Sequence, residues 1–228
     1  MDKDLRHSEL YERSFGEEDS KSSYGFFAVF LVLILVLLFF RVYWVNNFGG
    51  VVVDGSSMRN TLYHGDKLLM RYVEDGEGIE RGDVIVVNVK GYEECASVNG
   101  GFLIKRLIAT EGDKVKCIDG QLYLWAAGDD GYKPLQEDYN VWYDEHTVQK
   151  EGDGKYVTGA KAYDFGEYVV GEGEIFFLGD NRHHSCDSRY NQVAGSHLSG
   201  KLYKATDVFG VVPEWAIKYS DTLEKIFF

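Results

Sequence analysis

A continuous apolar segment near the N-terminus dominates the hydrophobicity pattern of the chain. No charged residue occurs from Ser22 to Phe40, a length close to the roughly 20 apolar residues that a helix needs to cross a bilayer. A buried helix of a soluble domain would show a polar face, and none occurs between Phe26 and Phe40. A cleaved signal peptide would have a shorter apolar core followed by a small-residue cleavage site. The segment therefore predicts an uncleaved transmembrane anchor over residues 24–45.

Basic residues on the two sides of this segment indicate its orientation. They are Arg6, Arg13 and Lys21 before the segment, and Arg41 and Arg59 after it over a comparable distance. The flank that is richer in Lys and Arg normally stays in the cytoplasm. We therefore expect a single-pass protein of the cell membrane, in contact with the lipid bilayer. Residues 1–23 would form a cytoplasmic tail, and residues 46–228 would form an extracytoplasmic domain.

Beyond the anchor, the pattern changes to short β-branched or alternating runs separated by turn residues. Examples are "DKLLMRYV", "GDVIVVNV", "FLIKRLIAT" and "EIFFLGD". Such runs are typical of antiparallel strands. The stretch from about 120 to 173 is dense in Gly, Asp, Glu and Tyr, which favours a β-hairpin insertion. The sequence therefore predicts a mainly β fold with one insertion, preceded by one transmembrane helix.

Composition agrees with a β domain and restricts its partners. The 228 residues include 26 Gly, 16 Tyr and 14 Phe but only 2 Pro. A net charge of −13 argues against nucleic acid as a partner, because phosphates would be repelled over most of the surface. The cysteines Cys95, Cys117 and Cys186 lack metal-ligand spacing, so we expect no metal site. Three cysteines allow at most one disulfide, and its pairing does not follow from the sequence.

The stretch "DGSSMRNTL", residues 54–62, contains two adjacent serines. Taken alone it reads as a turn, because Asp, Gly and Ser are ordinary turn residues. A serine becomes a nucleophile only when a nearby base accepts its proton. Four histidines, His7, His64, His146 and His197, lie in polar stretches where a solvated imidazole is the default. His183 and His184 adjoin a further motif without an evident carboxylate at short range.

Lys105 is the better candidate for a base. In "FLIKRLIAT" it shares one strand face with Leu103 and Leu107, so its amine is partly desolvated. Desolvation disfavours the ammonium form, and a neutral lysine can act as a general base. The alternative is a lysine at the strand edge that extends its amine to water.

A third stretch, "FFLGDNRHHSCDSR", covers residues 176–189. An apolar strand is followed by Gly-Asp-Asn and then by an alternation of hydroxyls, acids and arginines. An Asx turn with surface ion pairs would explain part of this pattern but not all of it.

Together these stretches resemble the type I signal peptidases, membrane-anchored Ser/Lys proteases that remove signal peptides from exported proteins. The resemblance rests on "GSSM" followed by "TL", on "KR" with "GD" seven residues after the lysine, and on "GDNRxxSxDSR", in this order after one apolar span. A weaker fourth block is "FGVVP". The single span and the Val-Asp-Gly lead-in are similar to the Gram-positive form. The resemblance implies an antiparallel β catalytic fold like that of signal peptidases and repressor proteases.

The resemblance also implies roles for individual residues. Ser57, the serine directly before Met, matches the nucleophile, and Lys105 matches the general base. Ser185 matches the hydroxyl that orients the lysine. No metal and no organic cofactor are required, and the partners are preproteins that carry signal peptides.

Further residues match supporting positions of the family. Asp187 and Arg189 match an ion pair that fixes the loop. The oxyanion hole uses the backbone N–H of Ser57 with help from the position of Gly55, which has no side-chain hydroxyl. Specificity in the family is for small residues at the first and third positions before the cut. The expected walls of the pockets are Val51, Val53, Leu62 and Ile104.

Three positions depart from the family pattern. Asn60, Glu111 and Gly171 stand where the family commonly has proline, and none of them is a reacting group. Two alternative functions stay open at this point. One is another Ser/Lys protease, such as the self-cleaving repressor type, and the other is a non-catalytic anchored β domain that binds a partner.

Overall fold

The protein forms two compact units, Met1–Asn47 and Phe48–Phe228. They are seen in a computed structural model that describes residues 3–90, 92, 99–139, 148–150, 156–158, 165–182, 185–189 and 203–227. The first unit is one helix, α1 (Lys3–Asn47). The second unit contains the strands and two short helices.

Helix α1 contains the predicted anchor. Its candidate membrane span is Tyr24–Asn47, which has 24 residues, a mean hydropathy of 2.8 and no buried positions. At about 1.5 Å per residue, a span of this length exceeds the roughly 30 Å of a bilayer's hydrocarbon core. The Asn47 side chain donates to the Tyr43 carbonyl oxygen at 2.7 Å and so satisfies one acceptor of the last turn. One apolar helix at the N-terminus, long enough to cross a membrane, therefore precedes the β domain as expected.

The described strands of the second unit pair only in antiparallel fashion. In chain order they are β1 (Phe48–Val52), β2 (Lys67–Tyr72), β3 (Val84–Asn88), β4 (Phe102–Thr110), β5 (Lys114–Ile118), β6 (Gln121–Trp125), β7 (Lys133–Pro134), β8 (Val148–Lys150), β9 (Tyr156–Thr158), β10 (Phe165–Val169), β11 (Glu174–Leu178), β12 (Tyr203–Lys204) and β13 (Val208–Val212). Single 3-10 turns cover Asn99–Gly101 and Ala205–Asp207. The prediction of a mainly antiparallel β fold is confirmed.

The larger sheet has seven strands in the order β1-β2-β13-β3-β4-β11-β12. Its central strand β3 carries four consecutive buried residues, Val84 to Val87, which explains why its sequence is continuously apolar rather than alternating. β4 lies beside β3 over Phe102–Arg106, and it pairs with β11 only from Arg106 to Thr110. The N-terminal half of β4 therefore has one edge without a partner among the described strands.

A second sheet has four strands in the order β10-β5-β6-β7, and β8 and β9 form a separate pair. The β5–β6 hairpin turns at Asp119 and Gly120, which both have positive φ, as a two-residue hairpin loop requires. This sheet begins at Lys114, upstream of the predicted insertion boundary near 120, and its last strand ends at Val169. Residues 140–147, 151–155 and 159–164 of the predicted insertion lie outside the described residues.

Two apolar clusters form the core of this unit. One lies between the two sheets, where Phe176 of β11 contacts Phe165 and Tyr168 of β10. The other packs the larger sheet around Ile85 and Phe177. β11 serves both clusters because its successive residues alternate between the two faces of the strand.

Two short helices, α2 (Glu214–Lys218) and α3 (Ser220–Phe227), follow β13. Glu224 of α3 forms an ion pair with Lys67 of β2 at 3.1 Å. The ring of Trp215 in α2 lies 6.5 Å from that of Phe48 in β1. These contacts hold the C-terminal helices against the β1–β2 end of the sheet.

We expect Phe176→Ala to destabilise the β domain strongly. The ring is fully buried, with centroids 5.5 Å from Phe165 and 4.9 Å from Tyr168, so its removal leaves a cavity between the sheets. A loss of about 3–5 kcal/mol is typical of such a change. Denaturant unfolding of the full chain in detergent micelles measures it. Val169→Ala, at a residue that is 57% exposed, serves as the control and should cost less than about 1 kcal/mol. Equal midpoints for the two variants would contradict this packing.

Candidate active site

Ser57 lies in a tight turn that directly follows β1. The turn is closed by backbone hydrogen bonds from Arg59 N to Ser56 O at 3.1 Å and from Leu62 N to Met58 O at 2.8 Å. Met58 is buried, and its side chain fixes the turn to the core. The stretch is thus a turn, as its composition suggested, and it presents the hydroxyl of Ser57 at a fixed position.

Lys105 projects from β4 toward this turn. Its Nζ lies 2.8 Å from Ser57 Oγ and donates to the carbonyl oxygen of Ile104 at 2.8 Å. Lys105 is only 1% exposed, because alternate residues of this half of β4 face the interior. The amine therefore does not extend to bulk water from the strand edge. The geometry brings a hydroxyl and a buried amine into hydrogen-bond contact.

Ser185 lies near the same turn, and Gly179 makes this approach possible. A Cβ atom at Gly179 would overlap both the Ser185 hydroxyl and the Ser57 carbonyl oxygen. The Ser185 Oγ is buried, and its hydroxyl is one of the groups that hold the pKa of Asp187 below its ordinary value. The structure therefore brings Ser185 and the Ser57 carbonyl group against the same face of Gly179, whereas a direct bond from Ser185 to Lys105 stays a prediction.

Asp187 and Arg189 form the predicted ion pair. Arg189 Nε donates to Asp187 Oδ1 and its Nη2 donates to Oδ2, both at 2.8 Å. Asp187 Oδ2 also accepts the backbone N–H of Gly179 at 3.1 Å. Burial raises the pKa of Asp187, but the charge and hydrogen bonds of Arg189 outweigh it and hold this pKa below its ordinary value. The pair thus ties the Ser185 segment to the glycine against which Ser185 packs.

A second ion pair joins the end of β11 to β4. Arg106 donates to Asp180 through Nε at 2.9 Å and through Nη2 at 2.7 Å, and the Asp180 side chain is fully buried. Thr61 of the Ser57 turn donates its hydroxyl to the same carboxylate. Burial lowers the pKa of Arg106, but Asp180 outweighs it and raises this pKa above the ordinary value. Asp180 therefore connects the strand that carries Lys105 to the turn that carries Ser57.

Asn181 holds the Ser57 turn directly. Its backbone N–H donates to Ser57 O at 2.9 Å, and its side-chain Nδ2 donates to Ser56 O at 3.0 Å. Two carbonyl oxygens of the turn are thus fixed by one residue of the loop after β11. The sequence pattern predicts no separate role for Gly179, Asp180 or Asn181, although all three stand in "GDN".

A cavity of about 460 Å³ opens beside Ser57 and Lys105. Its lining residues include Ser57, Lys105, Cys186 and three of the four predicted pocket walls, Val51, Val53 and Ile104. Leu62, the fourth, is only 1% exposed and is not among the residues that line this cavity. Its role as a pocket wall therefore stays a prediction.

The cavity is bordered by two strand edges. β1 is the edge strand of the larger sheet, and β4 is unpaired on one side from Phe102 to Lys105 within the described part of the chain. Such edges present backbone N–H and C=O groups to an extended peptide. The arrangement can therefore accept a polypeptide strand beside Ser57 and Lys105.

Gly55 does not offer its backbone N–H to the cavity. This N–H donates to His64 Nδ1 at 3.2 Å, and His64 lies 3.3 Å from Asp54 with both side chains mostly exposed. The φ of Gly55 is 99°, a left-handed conformation that favours glycine.

Some of the candidate residues lie outside the described part of the chain. They are His183, His184, His146, His197 and Cys95, together with the side chain of His7. No group of three or more metal-binding side chains occurs in the described ranges.

Comparison with known proteins gives consistent matches. The profile of a family described as signal peptidase, peptidase S26, matches residues 24–216. Signal peptidase I of Bacillus licheniformis is 34% identical over 166 residues, which cover 71% of this chain and 73% of that protein. Signal peptidase I U of Bacillus subtilis strain 168 is 32% identical over 161 residues, which cover 70% and 73%. A crystal structure of a signal peptidase I from Enterococcus faecalis V583 is 26% identical, with a TM-score of 0.38, and covers 60% of this chain and 98% of that one.

The family match bears on several predictions made from the sequence. The resemblance to signal peptidases is confirmed by the profile and by relatives at 34% and 32% identity. Membership of this family supports the prediction that the protein is a serine endopeptidase and that its substrates are exported preproteins with signal peptides. The N-terminal helix is apolar and long enough to cross a membrane, which together with the family supports a membrane-anchored form. The chain therefore belongs to the signal peptidase I family.

Proposed function

We propose that this protein removes signal peptides from exported preproteins, with Ser57 as the nucleophile and Lys105 as the general base. The observation that carries the proposal is the 2.8 Å distance between Lys105 Nζ and Ser57 Oγ, with the lysine almost fully buried. A nucleophile and a base within hydrogen-bond reach form the minimal arrangement for covalent hydrolysis.

The reaction proceeds in two stages through an acyl-enzyme. Ser57 Oγ attacks the carbonyl carbon of the scissile bond while Lys105 Nζ accepts the hydroxyl proton. The C–N bond then breaks, and Lys105 delivers that proton to the leaving amine. A water molecule next gives a proton to Lys105 and attacks the ester carbon. The bond from that carbon to Ser57 Oγ then breaks, Lys105 returns the proton to Ser57 Oγ, and the signal peptide leaves with a free carboxyl group.

This role requires a neutral amine on Lys105. A lysine has an ordinary pKa of about 10.4, and burial lowers it because the ammonium form loses hydration. The 1% exposure of Lys105 provides that burial. Since the neutral form accepts the proton, activity increases as pH rises through the pKa of Lys105.

The Ser185 hydroxyl is proposed to orient the lysine. Support comes from its position, because it is buried and lies against Gly179 together with the Ser57 carbonyl group. The oxyanion of the tetrahedral intermediate would be stabilised by the backbone N–H of Ser57. The Gly55 N–H is bonded to His64, so in this arrangement it is not the second donor.

The substrate is proposed to bind as an extended strand between the edges of β1 and β4. Val51, Val53 and Ile104 line the cavity and are large enough to restrict it to small side chains at the first and third positions before the cut. Backbone hydrogen bonds to a strand edge are independent of side-chain identity, which suits an enzyme that acts on many different preproteins.

The proposal includes the lipid bilayer as a partner and a fixed orientation of the chain across it. α1 holds the β domain at a membrane surface, with residues 1–23 in the cytoplasm and the catalytic domain on the other side. The basic residues before the span support this orientation. The site would then face the compartment into which signal peptides are threaded.

Removal of either group of the dyad should abolish cleavage. We expect Ser57→Ala to be inactive, and Lys105→Arg to be nearly inactive because a guanidinium stays protonated in the working pH range. Single-turnover cleavage of a precursor with an Ala-x-Ala site, measured from about pH 6 to 10, tests both variants and should show wild-type activity rising with pH. Full activity in Lys105→Arg would exclude lysine as the base and direct attention to His183 and His184.

A methyl group at Gly179 should disturb the site without touching a reacting atom. We expect Gly179→Ala to lower the cleavage rate by about 100-fold, because the new Cβ displaces the Ser185 hydroxyl and the Ser57 carbonyl group. The same precursor assay measures the effect. Gly166→Ala is the matched control, because a Cβ there meets no atom within 4 Å. Unchanged rates in Gly179→Ala would contradict the close packing of Ser185 and Ser57.

Protease protection tests the orientation. In right-side-out membrane vesicles, an added protease should digest an epitope fused to the C-terminus, whereas an epitope fused to the N-terminus should stay protected. Inverted vesicles should give the opposite pattern. Protection of the C-terminal epitope in right-side-out vesicles would show that the catalytic domain lies in the cytoplasm.

A further inference from the structure

A buried ion pair joins the loop after β11 to the segment that follows β7. The side chains of Arg182 and Glu137 are each about 1% exposed. Arg182 Nη1 donates to Glu137 Oε2 at 3.2 Å, and its Nη2 donates to Oε1. Arg182 Nε donates to the Gly179 carbonyl oxygen at 3.0 Å. One guanidinium thus closes the turn from Gly179 to Arg182 and binds a distant carboxylate.

This turn contains the residue that holds the nucleophile. Asn181 lies between Gly179 and Arg182, and its two N–H donors bond the carbonyl oxygens of Ser56 and Ser57. The contacts therefore run from Glu137 to Arg182, from Arg182 through the turn to Asn181, and from Asn181 to Ser57. Each step is a hydrogen bond or one covalent link.

Tyr139 connects the same segment to the other side of the loop. Its hydroxyl donates to Glu137 Oε1 at 3.2 Å, and its ring lies 3.9 Å from the guanidinium carbon of Arg106. Arg106 in turn binds Asp180. Burial and the charge of Glu137 raise the pKa of Tyr139, so its hydroxyl is a neutral donor to the carboxylate. Residues 137–139 thus contact Arg182 directly and reach Asp180 through Arg106.

A buried ion pair is a poor source of net stability. The cost of removing two charges from water offsets most of their attraction, and apolar residues of equal volume often stabilise as well. What such a pair does provide is a fixed geometry, because each group satisfies the other in only one arrangement. Because the Glu137–Arg182 pair lies beside the Ser57 turn, the geometry that it fixes is that of this turn.

We propose that Glu137 is a positioning residue for the nucleophile, which acts through Arg182 and Asn181 on the Ser57 turn. The inference rests on the proposed role of Ser57. According to this proposal, the segment after β7 affects the rate of cleavage although it supplies no reacting group.

Kinetics of matched variants test the proposal. Glu137→Gln keeps the shape but removes the charge, and we expect kcat to fall about tenfold or more while KM changes by less than about twofold. Glu137→Asp keeps the carboxylate and should recover part of the lost kcat. Asp129→Asn is the control, because it removes an exposed ion pair with Lys133 in the same part of the chain and should leave kcat within about twofold. A kcat within twofold of wild type in Glu137→Gln would overturn the proposal.

Hydrogen exchange separates positioning from general destabilisation. In full-length protein carrying Ser57→Ala, Glu137→Gln should speed amide exchange in the peptide that contains Asn181 by about tenfold or more, while the peptide that contains β3 stays protected. Equal loss of protection in both peptides, or no change at Asn181, contradicts a positioning role. This result does not require catalysis, so it is independent of whether Ser57 is the nucleophile. Failure of the proposed function would appear instead as cleavage activity in Ser57→Ala.

Discussion

The site depends on the burial of one amine. Lys105 is 1% exposed, yet its Nζ meets Ser57 Oγ at 2.8 Å, so the sheet must place a titratable group inside the core without leaving it unsatisfied. The Ile104 carbonyl oxygen accepts a hydrogen bond from the same amine. Burial disfavours the charged form, which is the form without base activity. In the proposed mechanism the base is the neutral amine, so the proposed role of Ser57 depends on the burial of Lys105.

The loop after β11 buries many polar groups beside the Ser57 turn. Asp180, Asn181, Arg182, Asp187 and Arg189 are all buried. Each makes at least one hydrogen bond that ties the loop to another segment or to itself. Buried polar groups lose their hydration, and these hydrogen bonds compensate for that loss. The dense alternation of acids and arginines in the sequence is therefore the consequence of a buried loop, not of a charged surface.

The sequence predicts the groups whose chemistry is local and misses those that depend on distant contacts. Ser57 and Lys105 stand in short motifs whose flanking pattern shows a turn and a buried strand face. The apolar span and the antiparallel strands follow from periodicity in the same way. Glu137 carries no such signal, because its importance comes from Arg182, which is far away in the chain. Leu62 lies close to Ser57 along the chain, yet its side chain is buried and is not among the residues that line the cavity beside Ser57.

Asn60 shows how the site accepts a departure from the family pattern. Its φ is 83°, whereas the ring of a proline fixes φ near about −65°, so this turn could not hold the proline that the family commonly has there. Asparagine tolerates the left-handed region better than most residues. The next residue, Thr61, bonds to Asp180, and Asn181 bonds to Ser56 and Ser57. The shape of the turn is therefore fixed from outside by the loop after β11, so it does not need a rigid residue of its own.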